Sequence, residues 1–340
     1  TCALPIFLTS RGAEVDAFQE RARGLFSGPP ALYGLYRSDA LGSDDGLQEM
    51  EADIELPLWR PGQRAAEQRA AEVRRAGLEH SRGALALTVA GRVRDAVWEV
   101  VYLRNELRLV KKEWETARAL QLDVEKRVEA GELAKTDALL SREETLRKET
   151  DYIKAEAEAE HALLRYQALT GHDQLPGDPE EPRSAQQAIT PAHPLLEDAD
   201  AQVSTAQAKL GVASRSAGGN PDLLIGGKRE RGGAGEDYND SFQIAVRIPF
   251  NIGPAAKPEV ATAGTALAET EAARVAVERQ LSTELRTAAH ELETIGRRLT
   301  QAREQNRIAA ENLHLARRAF DLGEIDLTGL QRVQSLAFAA

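Results

Sequence analysis

The two halves of this chain run in step. Pro29 returns as Pro221, Leu32 as Leu224, Gly34 as Gly226 and Pro57 as Pro249, each 192 positions on. Further along, Arg94 meets Arg286, Gly131 meets Gly323, Glu132 meets Glu324 and Thr136 meets Thr328 at the same offset. A gapless duplication of this period fixes the architecture before any residue chemistry is considered. It predicts one structure built from two similar units, repeat 1 over 11–192 and repeat 2 over 193–340, in place of the two or three unrelated domains that 340 residues would otherwise suggest.

Each repeat reads in the same order. In the first, Glu14 to Leu25 is helical and ends at the breaker Ser27-Gly28-Pro29-Pro30. Strands follow at 31–37 and 48–58, then a long helix over 61–130, a tight turn at 128–136, a return helix over 134–170 and a Pro/Asp/Glu-rich linker over 171–194. In the second, a helix over 195–214 breaks at Gly218-Gly219-Asn220-Pro221. Strands at 222–231 and 241–250, a long helix over 258–322, a turn at 320–328 and the start of a second return helix complete the copy. Residues 1–10 read as a signal-peptide remnant or as a cloning or sequencing scar and are set aside. The second return helix has only begun at Ala340, so by the duplication the expectation is of a chain shortened by some tens of residues.

The strands alternate strictly. Met50, Ala52, Ile54, Leu56 and Leu58 share one face, while Glu49, Glu51, Asp53 and Glu55 occupy the other; Phe242, Ile244, Val246, Ile248 and Phe250 repeat the apolar side. Period-2 alternation of this kind marks a sheet with one apolar and one watery face. Each strand pair ends in an apolar-Pro-apolar step, where a proline costs no ladder donor. The long helices carry heptads. Val93, Val100, Leu107, Trp114, Gln121 and Val128 alternate with Ala96, Leu103, Val110, Ala117 and Val124, and the copies run from Leu285 to Phe320. Ten of these eleven positions are apolar or Ala in each copy, which predicts a coiled-coil seam, with the alanines bringing helices close.

Composition narrows the function classes. Aromatic residues are 5% of the chain, as in long helices and coiled coils. A net charge of −11 argues against nucleic-acid partners, because phosphate binding needs a cationic surface. One cysteine, Cys2, supplies neither a disulfide nor a thiolate metal site. His80, His161, His172, His193, His290 and His314 are scattered without an i, i+3 or i, i+4 pair, so no metal site and no cofactor are expected. No run of 18 apolar residues exists, which excludes a membrane-spanning helix and leaves a β-barrel open. No set of reactive side chains calls for an enzyme.

Four alternating strands cannot close a barrel, and an open sheet with an apolar face invites aggregation. Three chains would supply twelve strands, within the range of outer-membrane barrels, with the acidic row facing a watery lumen and the apolar rows facing lipid. The expected fold is therefore mainly α with a small β part: long coiled-coil hairpins forming an α-barrel, plus four strands per chain in a trimeric 12-stranded outer-membrane β-barrel.

Two turn motifs, Val128-Glu129-Ala130-Gly131-Glu132-Leu133 and Phe320-Asp321-Leu322-Gly323-Glu324-Ile325, stand in order with the strand ends Leu56-Pro57-Leu58-Trp59 and Ile248-Pro249-Phe250-Asn251 and with His193-Pro194. Through these residues the chain resembles the TolC-type outer-membrane efflux factors, nearest the cation-efflux (CzcC-like) branch. The resemblance spans nearly all of 11–340. It implies a homotrimeric channel-tunnel with its β part in the outer-membrane lipid and its helical part in the periplasm. Such a tunnel docks on a periplasmic adaptor (membrane fusion protein) and an inner-membrane pump, and conducts metal ions or small toxic molecules. The turns would then be periplasmic tips, with Val128, Gly131, Glu132, Leu133, Thr136, Phe320, Gly323, Glu324, Ile325 and Thr328 as adaptor contacts. Asp137, Asp321 and Asp326 are candidates for a pore constriction, against the plainer reading of solvated or capping carboxylates. Trp59 is read either as a membrane-interface residue or as packing. The competing function is a periplasmic coiled-coil adaptor or scaffold without a pore.

Overall fold

The structure, a computed structural model, describes residues 3–249 and 257–340. Thr1, Cys2 and residues 250–256 lie outside the described residues, and with them the last residue of the expected strand 241–250 and the Phe250-Asn251 half of the second strand-end motif. The elements follow in the order α1 (Ala3–Arg23), β1 (Ala31–Ser38), β2 (Gln48–Pro57), α2 (Gln63–Glu129), α3 (Lys135–Thr170), α4 (Pro194–Ser216), β3 (Asp222–Arg231), β4 (Asn239–Arg247), α5 (Lys257–Asp321) and α6 (Leu327–Ala339).

One expectation changes at the start. The first helix begins at Ala3, not Glu14, and takes in most of the segment set aside as a remnant or scar. Pro5 falls in the first helical turn, where its missing N–H has no partner to lose. Shifted by 192, α1 covers residues 195–215, almost all of α4.

The contacts divide the chain into two compact units, residues 88–188 with 282–340 and residues up to 87 with 189–281. The first unit is helical. Val97 and Val100 of α2 pack on Ala162 and Tyr166 of α3, with Val93, Ala96 and Leu103 around them. Near the ends of the long helices Val124, Ala316, Phe320, Leu327 and Leu330 form a second cluster joined by Val128, Leu133 and Ile325. The α2 heptad positions are all buried or half-buried. On α3 the buried face is built from small residues, Ser141, Ala155, Ala159 and Ala162, which let the helices approach closely. Among the polar groups under cover, Lys148 bridges to Glu113 with both side chains mostly buried.

The second unit holds the sheet and the helices around it. The four strands form one antiparallel sheet in the order β1-β2-β3-β4, so the two local hairpins are joined through a β2–β3 pairing of residues far apart in sequence, Gln48 opposite Arg231 through Pro57 opposite Asp222. The outer edges of β1 and β4 carry no partner strand among the described residues. The C-terminal carbonyls of α1 are closed from the far side of the hairpin: Arg64 and Gln68 donate to the Ala22 carbonyl, Arg64 to that of Arg23, and the Trp59 indole N–H to that of Gly24 at 3.1 Å. Trp59 is thus half-buried packing that caps a helix end. At the start of α4, the Leu195 N–H donates to His193 Nδ1 and Pro194 takes the first helical position, a favourable N-terminus.

Candidate functional site

The sheet presents two unlike faces, and the register shows how they are assembled. On one face the rows across the sheet read Leu32, Ile54, Ile225 and Ile244, then Gly34, Ala52, Gly227 and Phe242, then Tyr36, Met50, Arg229 and Asp240. This face is apolar and open: Leu32, Ile54, Phe242, Ile244 and Val246 are all at least half exposed, Leu32 to 82%. From Leu56 to Met50 the apolar row climbs about 20 Å along β2 at ~3.4 Å per residue. A soluble chain rarely leaves a contiguous apolar face of this extent uncovered.

The opposite face carries the acidic row of Glu49, Glu51, Asp53 and Glu55, but not as a bare row. Arg37 and Lys228 reach Glu49 at 3.0 and 2.7 Å, and Lys228 also meets Glu230. Arg247 meets Glu55 at 2.9 Å. Between these cationic ends, Glu51 and Asp53 share the side-chain amide of Gln243, which donates to both Asp53 oxygens at 2.9 and 3.0 Å and to Glu51. Asp53 is the surprise, at 1% exposure. It lies flat over Gly226, where a Cβ would come within 2.0 Å of its carboxylate. The glycine therefore makes the room in which the carboxylate is buried. Arg247 and Gln243 were placed on this face by the alternation of their strand; Arg37 and Lys228 were not singled out, although each sits at a polar-face position and the alternation alone would have placed it there.

The hairpin turns of the helical unit are built twice by the same device. Gly131 has φ +80° and Gly323 φ +74°. Gly131 N–H donates to the Val128 carbonyl and Glu132 N–H to that of Arg127; Gly323 and Glu324 repeat the pair on Phe320 and Ala319. The left-handed residue closes the last carbonyls of each long helix. A Cβ at either glycine would meet nothing within 4 Å, so it is the backbone angle, not crowding, that requires glycine.

The ten proposed tip contacts separate into two groups. Gly131, Glu132, Thr136, Gly323, Glu324 and Thr328 are exposed. Val128, Leu133, Phe320 and Ile325 are packed into the cluster beneath the turns and present little surface to a partner. The three constriction candidates all have local partners. Asp137 accepts from the Ala134 N–H at 3.1 Å, and Asp326 is the N-cap of α6, accepting from the Gly329 N–H at 2.7 Å. Asp321 pairs with Arg127 at 2.7 Å. Arg127 also meets Asp123 at 2.9 Å and stands 5.0 Å over the Phe320 ring; its hydrogen bond to Asp321 first, then the charges of Asp123, Asp321 and Glu132, raise its already high pKa against the opposing effect of burial. The guanidinium thus ties the end of α2 to the end of α5. The repeat hides this residue, since its copy is Ala319. The six histidines include one ion-pair geometry, His80 with Glu197 at 3.5 Å, and no group of three or more potential metal ligands occurs among the described residues.

No family model matches the sequence, and no curated protein does. Solved structures do. The outer membrane protein VceC from Vibrio cholerae is similar at a TM-score of 0.75 and 14% identity, over 98% of this chain and 86% of that one. The Campylobacter jejuni CmeC outer membrane channel is similar at 0.75 and 15%, over 98% and 76%. The open-state Neisseria gonorrhoeae MtrE outer membrane channel is similar at 0.63 and 16%, over 98% and 80%. At these identities the likeness establishes the fold: a mainly helical chain with a four-stranded antiparallel sheet, as in the TolC-type channels.

Proposed function

We propose that three copies of this chain form an outer-membrane channel, and that the channel is a passive conduit with no chemistry of its own. The observation that carries this reading is the sheet: among the described residues, four strands, one face open and apolar, the other polar, and two edges without a partner strand. Three such sheets joined edge to edge remove every edge and give twelve strands, turning the apolar faces to lipid and the polar faces inward. The VceC, CmeC and MtrE structures, which carry this fold, are outer membrane proteins by description.

The helices support the same closure. Beside the seam that it buries, α3 exposes a second heptad stripe of Leu139, Leu146 and Ile153, and α5, whose own seam is buried only near its end, exposes Ile308, Leu315 and Leu322. A helix with two apolar seams packs on neighbours at both sides, as the staves of a helical barrel must. In this reading the helical part stands in the periplasm and the exposed tip residues Gly131, Glu132, Thr136, Gly323, Glu324 and Thr328 meet an adaptor, which couples the conduit to an inner-membrane pump. The cargo is what that pump delivers, metal ions or small toxic molecules. With Asp137 and Asp326 engaged as helix caps, the constriction narrows to Asp321, held by Arg127.

Single-channel conductance in planar bilayers tests the reading. The expected result is discrete openings from heat-resistant, detergent-requiring trimers, with Asp321→Ala altering the conductance and Asp326→Ala not. Conductance indifferent to both changes removes the constriction and keeps the channel. A detergent-independent chain without conductance would leave the poreless adaptor or scaffold.

A further inference from the structure

The apolar face of the sheet ends, at the hairpin-loop end of the strands, in a charged and aromatic border. The row above Phe242 holds Tyr36, Met50, Arg229 and Asp240, and the next holds Ser38, Gln48 and Arg231. Tyr238, just ahead of β4, leans onto this border, its hydroxyl donating to Gln48. The guanidinium of Arg229 lies 5.3 Å from the Tyr238 ring centre and that of Arg231 5.0 Å from it, so one ring gathers two cations. Asp240 takes Arg229 in a fork, at 2.8 and 3.2 Å. Arg231 spends only its Nε–H, on the Gly46 carbonyl, and has no ion-pair partner among the described residues. The border therefore holds two guanidiniums against one carboxylate.

We propose that Arg229 and Arg231, gathered on Tyr238, form a docking surface for the anionic phosphate of a membrane-lipid headgroup. The proposal rests on the reading of the apolar sheet face as the lipid-facing surface. Three features favour this occupant. The cations stand where an apolar band gives way to polar loops, which is the level of the headgroups when that band is in hydrocarbon. Tyr36 is 62% exposed and Tyr238 40%, and tyrosines with an apolar body and a polar tip concentrate at that level. Met50, exposed beside Arg229 in the same row, and Phe242, exposed in the row below, offer acyl chains a contact that a free phosphate ion would not use. With its Nε–H spent, the Arg231 guanidinium keeps its Nη1/Nη2 edge, which matches two phosphate oxygens as a fork.

Flotation of the detergent-solubilised chain with vesicles of phosphatidylcholine, or of phosphatidylcholine mixed with phosphatidylglycerol, tests this. A chain of net charge −11 is repelled by an anionic surface as a whole, so a preference for the mixed vesicles has to be local. The expected result is such a preference, reduced roughly five-fold by Arg231→Gln and less by Arg229→Gln, whose charge Asp240 already offsets. Asp240→Asn frees Arg229 and should strengthen binding to the mixed vesicles; a purely structural Arg229–Asp240 pair predicts no gain, and that result overturns the proposal even if the arginine variants fold poorly. Equal binding to both vesicle types also overturns it, as does displacement by inorganic phosphate, which would make the ligand a free ion. Failure of the unaltered chain to bind either vesicle sinks the lipid-facing reading itself, and the proposal with it.

Discussion

Helices α2 and α5 carry one heptad pattern and live in different surroundings. Val100 of α2 is fully buried against Ala162 and Tyr166, while Leu292, its counterpart 192 positions on, is 52% exposed. The same holds for half-buried Leu103 and exposed Ile295. The difference lies in the cover: α3 runs for 36 residues back along α2, whereas beyond Leu292 the only buried positions of α5 among the described residues are Ala316 and Phe320 near its end, where α6 packs. A heptad states which face of a helix is apolar. Whether that face is buried depends on a partner that the helix's own sequence does not contain.

The largest effect that can break this comparison is at Val100. Val100→Ala should cost about 2 kcal/mol, the transfer energy of the lost methyls plus an unfilled gap between tightly packed helices. Leu292→Ala removes more atoms, yet should cost only a few tenths of a kcal/mol in the isolated chain, because the side chain is already in solvent. Urea unfolding followed by helical circular dichroism reads both. Equal costs would mean that the α5 seam is covered in solution, and a rise in the Leu292→Ala cost on trimer formation would identify the cover as another copy.

What was legible in the sequence follows the same division between local and distant. The duplication, the period-2 strands and the heptads are local patterns, and each names an element and its faces. The β2–β3 pairing that fuses two hairpins into one sheet joins Met50 to Arg229, and nothing near either residue announces the other. The acidic row was read correctly as one face, but the cations that answer it stand on other strands, so its charge was overstated. Asp137 and Asp326 were weighed as constriction residues through the resemblance, against the plainer reading of capping carboxylates, and it is the capping geometry that they adopt. Arg127 was missed for a different reason: the search followed what the two halves share, and Arg127 is where they differ.

The turns offer the converse test, since there the halves agree in geometry as well as in sequence. Gly131→Ala and Gly323→Ala each place a Cβ on a residue with φ between +74° and +80°, with free space around it. Each should cost about 1 kcal/mol from backbone strain alone, and the two costs should match within experimental error. A markedly larger loss at one glycine would show that its turn carries a constraint that the other lacks, and the Arg127–Asp321 tie, which crosses between the two turns, is the first place to look for it.

The smallest effect sits on the exposed stretch of α5 and checks that it behaves as open surface. Glu304 is held below its ordinary value of 4.5 by the hydrogen bond from Arg307, a neighbour along the same helix. The sign follows from linkage: with the folded pKa depressed, the pair contributes stability above pH 4.5 and loses it as the pH falls through the folded value. Arg307→Gln should therefore lower the melting temperature slightly at neutral pH and leave it unchanged at acid pH, with added salt erasing even the neutral-pH difference because both side chains are well exposed. A difference that survives salt would place the pair in a drier setting than the isolated helix face provides, and the nearest source of dryness is the second apolar stripe beginning one residue away at Ile308, covered by a neighbouring copy.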